Sequence, residues 1–191
     1  MQTVEASFKI KVQAVAAGTE VAQAAGAAHA TAAPIQPEAL SSALRRHETW
    51  LGSGWELGAR ADLHGADLHG VGLSGAVLEI ADLHRADLHR AALGNADLEG
   101  ADLHRADLHR ADLRGAELSW ADLHGADLHG ANLTGGILCD ADLRGADCHG
   151  ADLTGADLHN ADLRGTNLRR ARGLTQEQIA SAIVDDATKF A

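Results

Sequence analysis

The ten residues ADLHRADLHR stand at 81–90 and again at 101–110, and with Gly in place of Arg they stand at 61–70 and 121–130. Each block sets two imidazoles beside two carboxylates. That pairing can ligate a divalent cation, move protons, or change charge between about pH 5 and 8. The twenty-residue recurrence aligns His64, His84, His104 and His124 in one series, and His69, His89, His109, His129 and His149 in a second. Stacked at the ~4.8 Å spacing of neighbouring strands, two such imidazoles can converge on one metal with bonds of about 2.0–2.1 Å. These nine histidines are secondary candidates for metal ligation or a pH-responsive surface. The expected reading is a solvated ladder with no dedicated metal and no cofactor, because His, Asp and Arg interchange along it without breaking the period, as duplication of a surface residue would leave them.

Enzyme chemistry is not expected. Asp and His are abundant, but a regular convex array offers no concave, water-excluding constellation, and no GxSxG, phosphate-binding loop, HExxH or dinucleotide fingerprint occurs. Cys139 and Cys148 have neither CxxC spacing nor a disulfide framework, which fits a cytoplasmic protein. The start MQTVEASFKIKVQ lacks a basic region followed by an apolar run, and no stretch reaches the ~20 apolar residues of a membrane span. A formal charge of −11 argues against direct nucleic-acid binding or an anionic membrane surface. Aromatic residues make up only 3% of the chain, so the core must be narrow and assembled from small repeated layers.

The elements that place these residues follow from the period. Residues 61–170 form 22 consecutive pentapeptides, with Leu third in 21 of them and Cys148 the exception. Ala is first in 19, Val71, Gly136 and Thr166 departing, and Asp is second in 15. A period of five fits neither a helix nor a simple strand, so the unit is a short extended piece followed by a corner.

The repeats ADLHG, ADLRG, ANLTG and ADLTG resemble the pentapeptide-repeat family, whose pattern is A(D/N)LXX. The resemblance implies an all-β solenoid: a right-handed quadrilateral β-helix in which four pentapeptides make one coil, with Ala and Leu pointing inward. Twenty residues per coil then explain the recurrence of ADLHRADLHR, and 5.5 coils give a rod of roughly 26 Å. The acidic rod also resembles the branch of the family that mimics duplex DNA and occupies the DNA site of gyrase. It departs from that branch in its almost uniform Leu interior and in the lack of any projecting loop.

Sorting the outward residues by coil side gives four faces. The first two carry the histidine series. The third is plain, with Ser74, Gly94, Arg114, Thr134 and Thr154 at the fourth repeat position. The fourth is unusual, holding Glu79, Asp97, Glu99, Glu117, Asp140 and Asp157 without a cation, a charge of −6 against −2 on the first face. It also presents Val77, Ile80, Trp120 and Ile137 outward. Acids around an aromatic anchor make these ten residues the candidate protein-binding surface. The expected partner is a protein, with a type II topoisomerase as the DNA-mimicking alternative. A second copy of the chain, giving a homodimer, or the chain's own N-terminal strand could equally cover the face.

Flanking segments complete the organisation. Residues 3–15 alternate as a strand, with Val4, Ala6, Phe8, Ile10 and Val12 on one side, and the Ala-rich stretch through 34 reads as a linker. Residues 35–60 hold a capping helix opened by Pro37 and stopped near Gly52, with His47 on its apolar face as a packed or capping histidine. Residues 171–191 predict a capping or dimerisation helix, with the TQEQ capping box first and Ile179, Ile183, Ala187 and Phe190 along one stripe.

Overall fold

A computed structural model of the chain describes residues 35–190. The strand pattern of residues 3–15 and the linker through 34 lie outside the described residues. Helix α1, Pro37–Gly52, leads into the repeat array, and helix α2, Gln176–Ser181, follows it.

Between them the chain winds as a solenoid in which the second residue of each pentapeptide pairs in parallel with the residue one coil on. Asp62 meets Asp82, Asp67 meets Asp87, Gly72 meets Ala92 and Val77 meets Asp97, so one coil contributes four columns of bridges. Each side pairs through a single residue, because the other positions of the pentapeptide turn the corner. The Ala66 N–H donates to the Leu63 carbonyl at 3.0 Å and closes a four-residue turn whose third residue, Gly65, has φ 60°. With φ positive at that residue alone, the corner is a type II turn, which favours Gly there.

The hydrogen bonds explain the rest of the motif. In the first repeat the Leu63 N–H donates to the next coil at Asp82 O (2.8 Å), and Gly65 donates to His84 O (2.8 Å). Asp82 donates back to Ala61 O (2.9 Å). Only the fourth N–H lacks a backbone acceptor, and the Asp62 carboxylate supplies one, accepting from His64 N at 3.2 Å. The second-position acid therefore completes the accounting of donors that a turn facing water half-buries. Glu117 does the same for Ser119 (2.9 Å) and Asn132 for Thr134 (3.1 Å).

Inside, one column of Leu and one of Ala per side pack into a continuous core, with Cys148 buried in a Leu position. Each buried Leu contributes on the order of 1.5–3 kcal/mol before entropy, and no coil is stable without its neighbours. Thr166 occupies an inward Ala position and stays satisfied by donating to Leu143 O at 2.7 Å.

Both ends are closed. α1 lays Leu40, Leu44 and His47 over the first coil, and Ile35 N donates to Asp67 O at 3.2 Å. The His47 ring is fully buried, with Nδ1 accepting the Ala61 N–H at 3.0 Å, so it acts as a packed acceptor. At the far end the capping box of Thr175 and Gln178 forms, but α2 stops at Ser181. The apolar stripe through Ile183, Ala187 and Phe190 is therefore not helical. Instead Ile183 pairs with Asp162 and Lys189 with Asn167, extending the solenoid by half a coil. Open edges at Leu163 and Leu168 attract the chain, since their N–H groups donate to Ile183 O (2.8 Å) and Lys189 O (2.7 Å). Gln178 closes a further edge by donating to Leu153 O (3.1 Å) and Ala156 O (2.7 Å).

Candidate functional site

The fourth face is assembled by the same turn and ladder as the others, so its differences lie in side chains alone. Coil stacking places Val77, Asp97, Glu117, Ile137 and Asp157 in one bridge column. Trp120 is 62% exposed and Ile137 39%, while Val77, Glu79 and Ile80 are half-buried. Ile80 leans over the neighbouring coil, its Cγ1 about 3.7 Å from where a Cβ on Gly100 would sit.

Two features of this face run against the commonest repeat, the first shared with Gly72 and Ala92 of the third face and the second, a non-Gly corner, with Arg85, Arg90, Arg105 and Arg110 of the histidine faces. Val77 and Ile137 have no oxygen with which to take the fourth N–H of their turns, unlike the Asp at that position on the histidine faces. Ile80 and Trp120 occupy the left-handed corner at φ 60° and 56°, where Gly is the low-energy residue. A β-branched residue there is an outlier costing on the order of 1–2 kcal/mol.

The acids divide by role. Asp97 and Asp157 accept the N–H groups of Glu99 (3.2 Å) and His159 (3.0 Å), so with Glu117 they serve their turns. Glu79, Glu99 and Asp140 stand at the fourth or fifth repeat position, outside that hydrogen bonding. Partial burial raises the Glu99 pKa above its ordinary value, with the Glu79, Asp97 and Glu117 charges adding to the shift. Cys139 is half-buried, and burial together with its hydrogen bond to Asp157 pushes its thiol up to about 11, so it is protonated and a poor nucleophile at neutral pH. Cys148 is walled into the core and pushed up to about 12 by burial.

On the first two faces the histidines stack as ladders. Ring centroids are 4.8 Å apart for His64 and His84, 5.1 Å for His84 to His104 and for His104 to His124. The second ladder keeps 4.9 Å from His69 through His89, His109 and His129 to His149. Nε2 of His84 and of His89 and Nδ1 of His124 are buried without a hydrogen-bond partner. Desolvation lowers the His89 pKa, the neighbouring His69, His109 and Arg90 adding to it and Asp107 opposing it. Among the described residues no three metal-ligating side chains converge on one point, so neither ladder is a closed metal site.

The family model for pentapeptide repeats matches this chain in eight copies, over residues 61–100, 81–119, 101–138 and 138–170. The chain belongs to the pentapeptide-repeat family. Among solved structures it is similar to a pentapeptide repeat protein from the thylakoid lumen of Arabidopsis thaliana, at 31% identity over 64% of this chain and 82% of that one, with a TM-score of 0.43. It is also similar to HetL, a pentapeptide repeat protein involved in heterocyst differentiation regulation in the cyanobacterium Nostoc, at 39% identity over 67% and 63%, TM-score 0.29. A third similarity is to the plasmid-mediated fluoroquinolone resistance protein QnrB1, at 23% identity over 65% and 78%, TM-score 0.37. No curated protein sequence matches significantly.

Within this family member, sequence reasoning placed the ten fourth-face residues on one side, and the solenoid brings them there. It missed the structural duty of the second-position acids, although the Asp-x-His spacing of an Asx turn was a usable signal. It also missed Arg60, whose Nε donates to Ile80 O at 2.6 Å and ties the helical cap to the top of the fourth face.

Proposed function

We propose that this pentapeptide-repeat protein is a non-enzymatic binding module whose contact surface is the fourth face of a right-handed β-helix. The observation that carries the proposal is the pair Ile80 and Trp120, apolar residues held at φ 60° and 56° where the turn prefers Gly. Elsewhere in the array the same corner is Gly, Arg, Asn or Asp, so these two are its only apolar occupants among the described repeats, which supports a surface kept for what it touches. Trp120 is the anchor, Val77, Ile80 and Ile137 extend the apolar patch, and Glu79, Glu99 and Asp140 set its polarity. The complementary partner is a protein with an apolar pocket rimmed by Lys or Arg, met in the cytoplasm.

A second reading is a DNA mimic acting on a type II topoisomerase. It is favoured by six uncompensated carboxylates spread along one side of the rod. The two readings differ in which residues matter. Sedimentation equilibrium and a gyrase supercoiling assay on the full chain, Trp120→Glu, and a Glu79→Gln/Glu99→Gln/Asp140→Asn triple variant separate them. Binding lost with Trp120→Glu supports the anchored surface. Inhibition of gyrase that depends on the three carboxylates and falls steeply with salt supports mimicry. A wild-type monomer that binds no protein with or without Trp120 overturns the proposal.

A further inference from the structure

The second and fourth faces lie on opposite sides of the four-sided coil, and their charges differ in kind. The fourth holds Glu79, Asp97, Glu99, Glu117, Asp140 and Asp157, with His159 as its one titratable base. On the second, Asp67, Asp87, Asp107, Asp127 and Asp147 stand against Arg90, Arg110, Arg169 and Arg170, so five acids and four bases leave a formal charge of −1. Its outward column is His69, His89, His109, His129 and His149, with Arg85 and Arg105 at the corner shared with the first face. Each of the five aspartates is held against the backbone, accepting the N–H of its histidine at 2.9–3.1 Å, whereas the arginines are exposed.

Histidine takes up its proton between about pH 8 and 5, above the range in which carboxylates do. Protonating the column takes the second face from −1 to as much as +4, while the fourth, with one histidine, still carries −5. Brought together from two copies, the faces repel at alkaline pH and attract in mild acid. Over the same range the whole chain, with 12 histidines against a charge of −11, loses its net repulsion. Geometry supports the match, because every ring step of the column is 4.9 Å and the same coils carry Asp97, Glu117 and Asp157 opposite. Two rods laid side by side present imidazoles and carboxylates at one pitch, so a contact made at one coil is repeated at the next. Each face is also crowded by itself. Desolvation lowers the His89 pKa, with Asp107 opposing and His69, His109 and Arg90 adding, and burial raises that of Glu99, with Glu79, Asp97 and Glu117 adding. Opposing one face with the other relieves the like-charge repulsion on both. The exposed indole of Trp120 offers a further surface that attracts a cation.

We infer that in mild acid the fourth face receives the second face of another copy of this chain, so that the rods associate side by side. Because the two faces are opposite, each copy in a pair keeps one of them free. The contact is therefore heterologous, and it extends into rows. This goes beyond the binding reading above: it uses the same carboxylates but requires the histidine column, which a neutral-pH partner does not.

The test is sedimentation velocity of the full chain at about pH 8 and about pH 6. Monomers are expected at the higher pH, and at the lower a weight-average mass about twice that of one chain or more, reversed by about 1 M salt. His89→Gln/His109→Gln/His129→Gln and Glu79→Gln/Glu99→Gln/Asp140→Asn should each remain monomeric. Two first-face variants, His84→Gln/His104→Gln/His124→Gln and Asp62→Asn/Asp82→Asn/Asp122→Asn, change the charge equally and should associate like wild type. Mixing the two monomeric variants decides the geometry: they should form a 1:1 pair that grows no further, one supplying an intact fourth face and the other an intact second. Circular dichroism checks the fold of every variant, and single His109→Gln or Glu99→Gln substitutions, expected to weaken association, replace a triple that does not fold. Partner binding at neutral pH should survive the second-face histidine variant, so that reading and this one fail separately. Equal loss in the first-face controls would overturn the inference in favour of general charge neutralisation. A wild type that stays monomeric near pH 6, or a mixture that does not pair, would overturn it outright.

Discussion

The histidine faces and the fourth face share one backbone, one leucine core and one turn, yet their outward residues serve different ends. On the histidine faces Asp at the second position feeds the turn, and the corner is Gly or a long flexible Arg. On the fourth face Val77 and Ile137 leave the turn without that acceptor, and Ile80 and Trp120 fill corners suited to Gly. Ladders that obey the rules of the fold are consistent with repeated duplication. The missing acceptor is shared with Gly72 and Ala92 of the third face, but bulky apolar corners occur on the fourth face alone among the described repeats.

The comparison is tested hardest in the core, where no difference between faces is expected. Leu123→Ala beneath the first face and Leu118→Ala beneath the fourth should each lower unfolding free energy by about 3 kcal/mol, measured by denaturant titration, because both side chains are fully buried. A large inequality would mean that the interior, too, is specialised.

The turn layer should then split the faces. Asp102→Ala removes the acceptor of His104 N (3.0 Å) and is expected to cost about 1 kcal/mol. Val77→Asp supplies a missing acceptor and should stabilise by a comparable amount. Trp120→Gly relieves the left-handed corner and should also stabilise by about 1 kcal/mol while abolishing partner binding. Stabilisation together with lost binding is the signature of a residue kept for contact, and a destabilised Trp120→Gly would count against the surface.

Smaller effects come from protons, with opposite signs at the two places. Burial holds His47 below its ordinary pKa of 6.5, outweighing a Glu79 carbonyl that opposes the shift. The unfolded chain binds that proton more readily, so the stability His47 contributes is complete above about pH 6.5 and is lost as pH falls through its lowered folded value. Trp50 stacks on His47 with centroids 5.8 Å apart, so its fluorescence should report the cap loosening, and His47→Gln should flatten the profile. Glu99, raised above 4.5 by burial and like charges, contributes stability at low pH that is lost as pH rises through its folded value. Melting of Glu99→Gln at neutral pH should therefore occur above wild type.

Much of this was legible in the sequence. Five-residue periodicity, an inward Leu in all but one repeat and a twenty-residue recurrence dictate which side chains share a column, because each coil is the previous one translated by one strand spacing. The fourth face and both ladders follow from counting alone. Where translation stops, counting fails: Ile183 and Phe190 looked helical by spacing, but the unpaired edges at Leu163 and Leu168 drew the chain into a last half-coil. Tertiary structure alone decided that His47 would meet the first free N–H of the array and that Ile80 and Trp120 would sit at left-handed corners. Each of these depends on a backbone conformation or a neighbour many residues away, and a one-dimensional repeat carries neither.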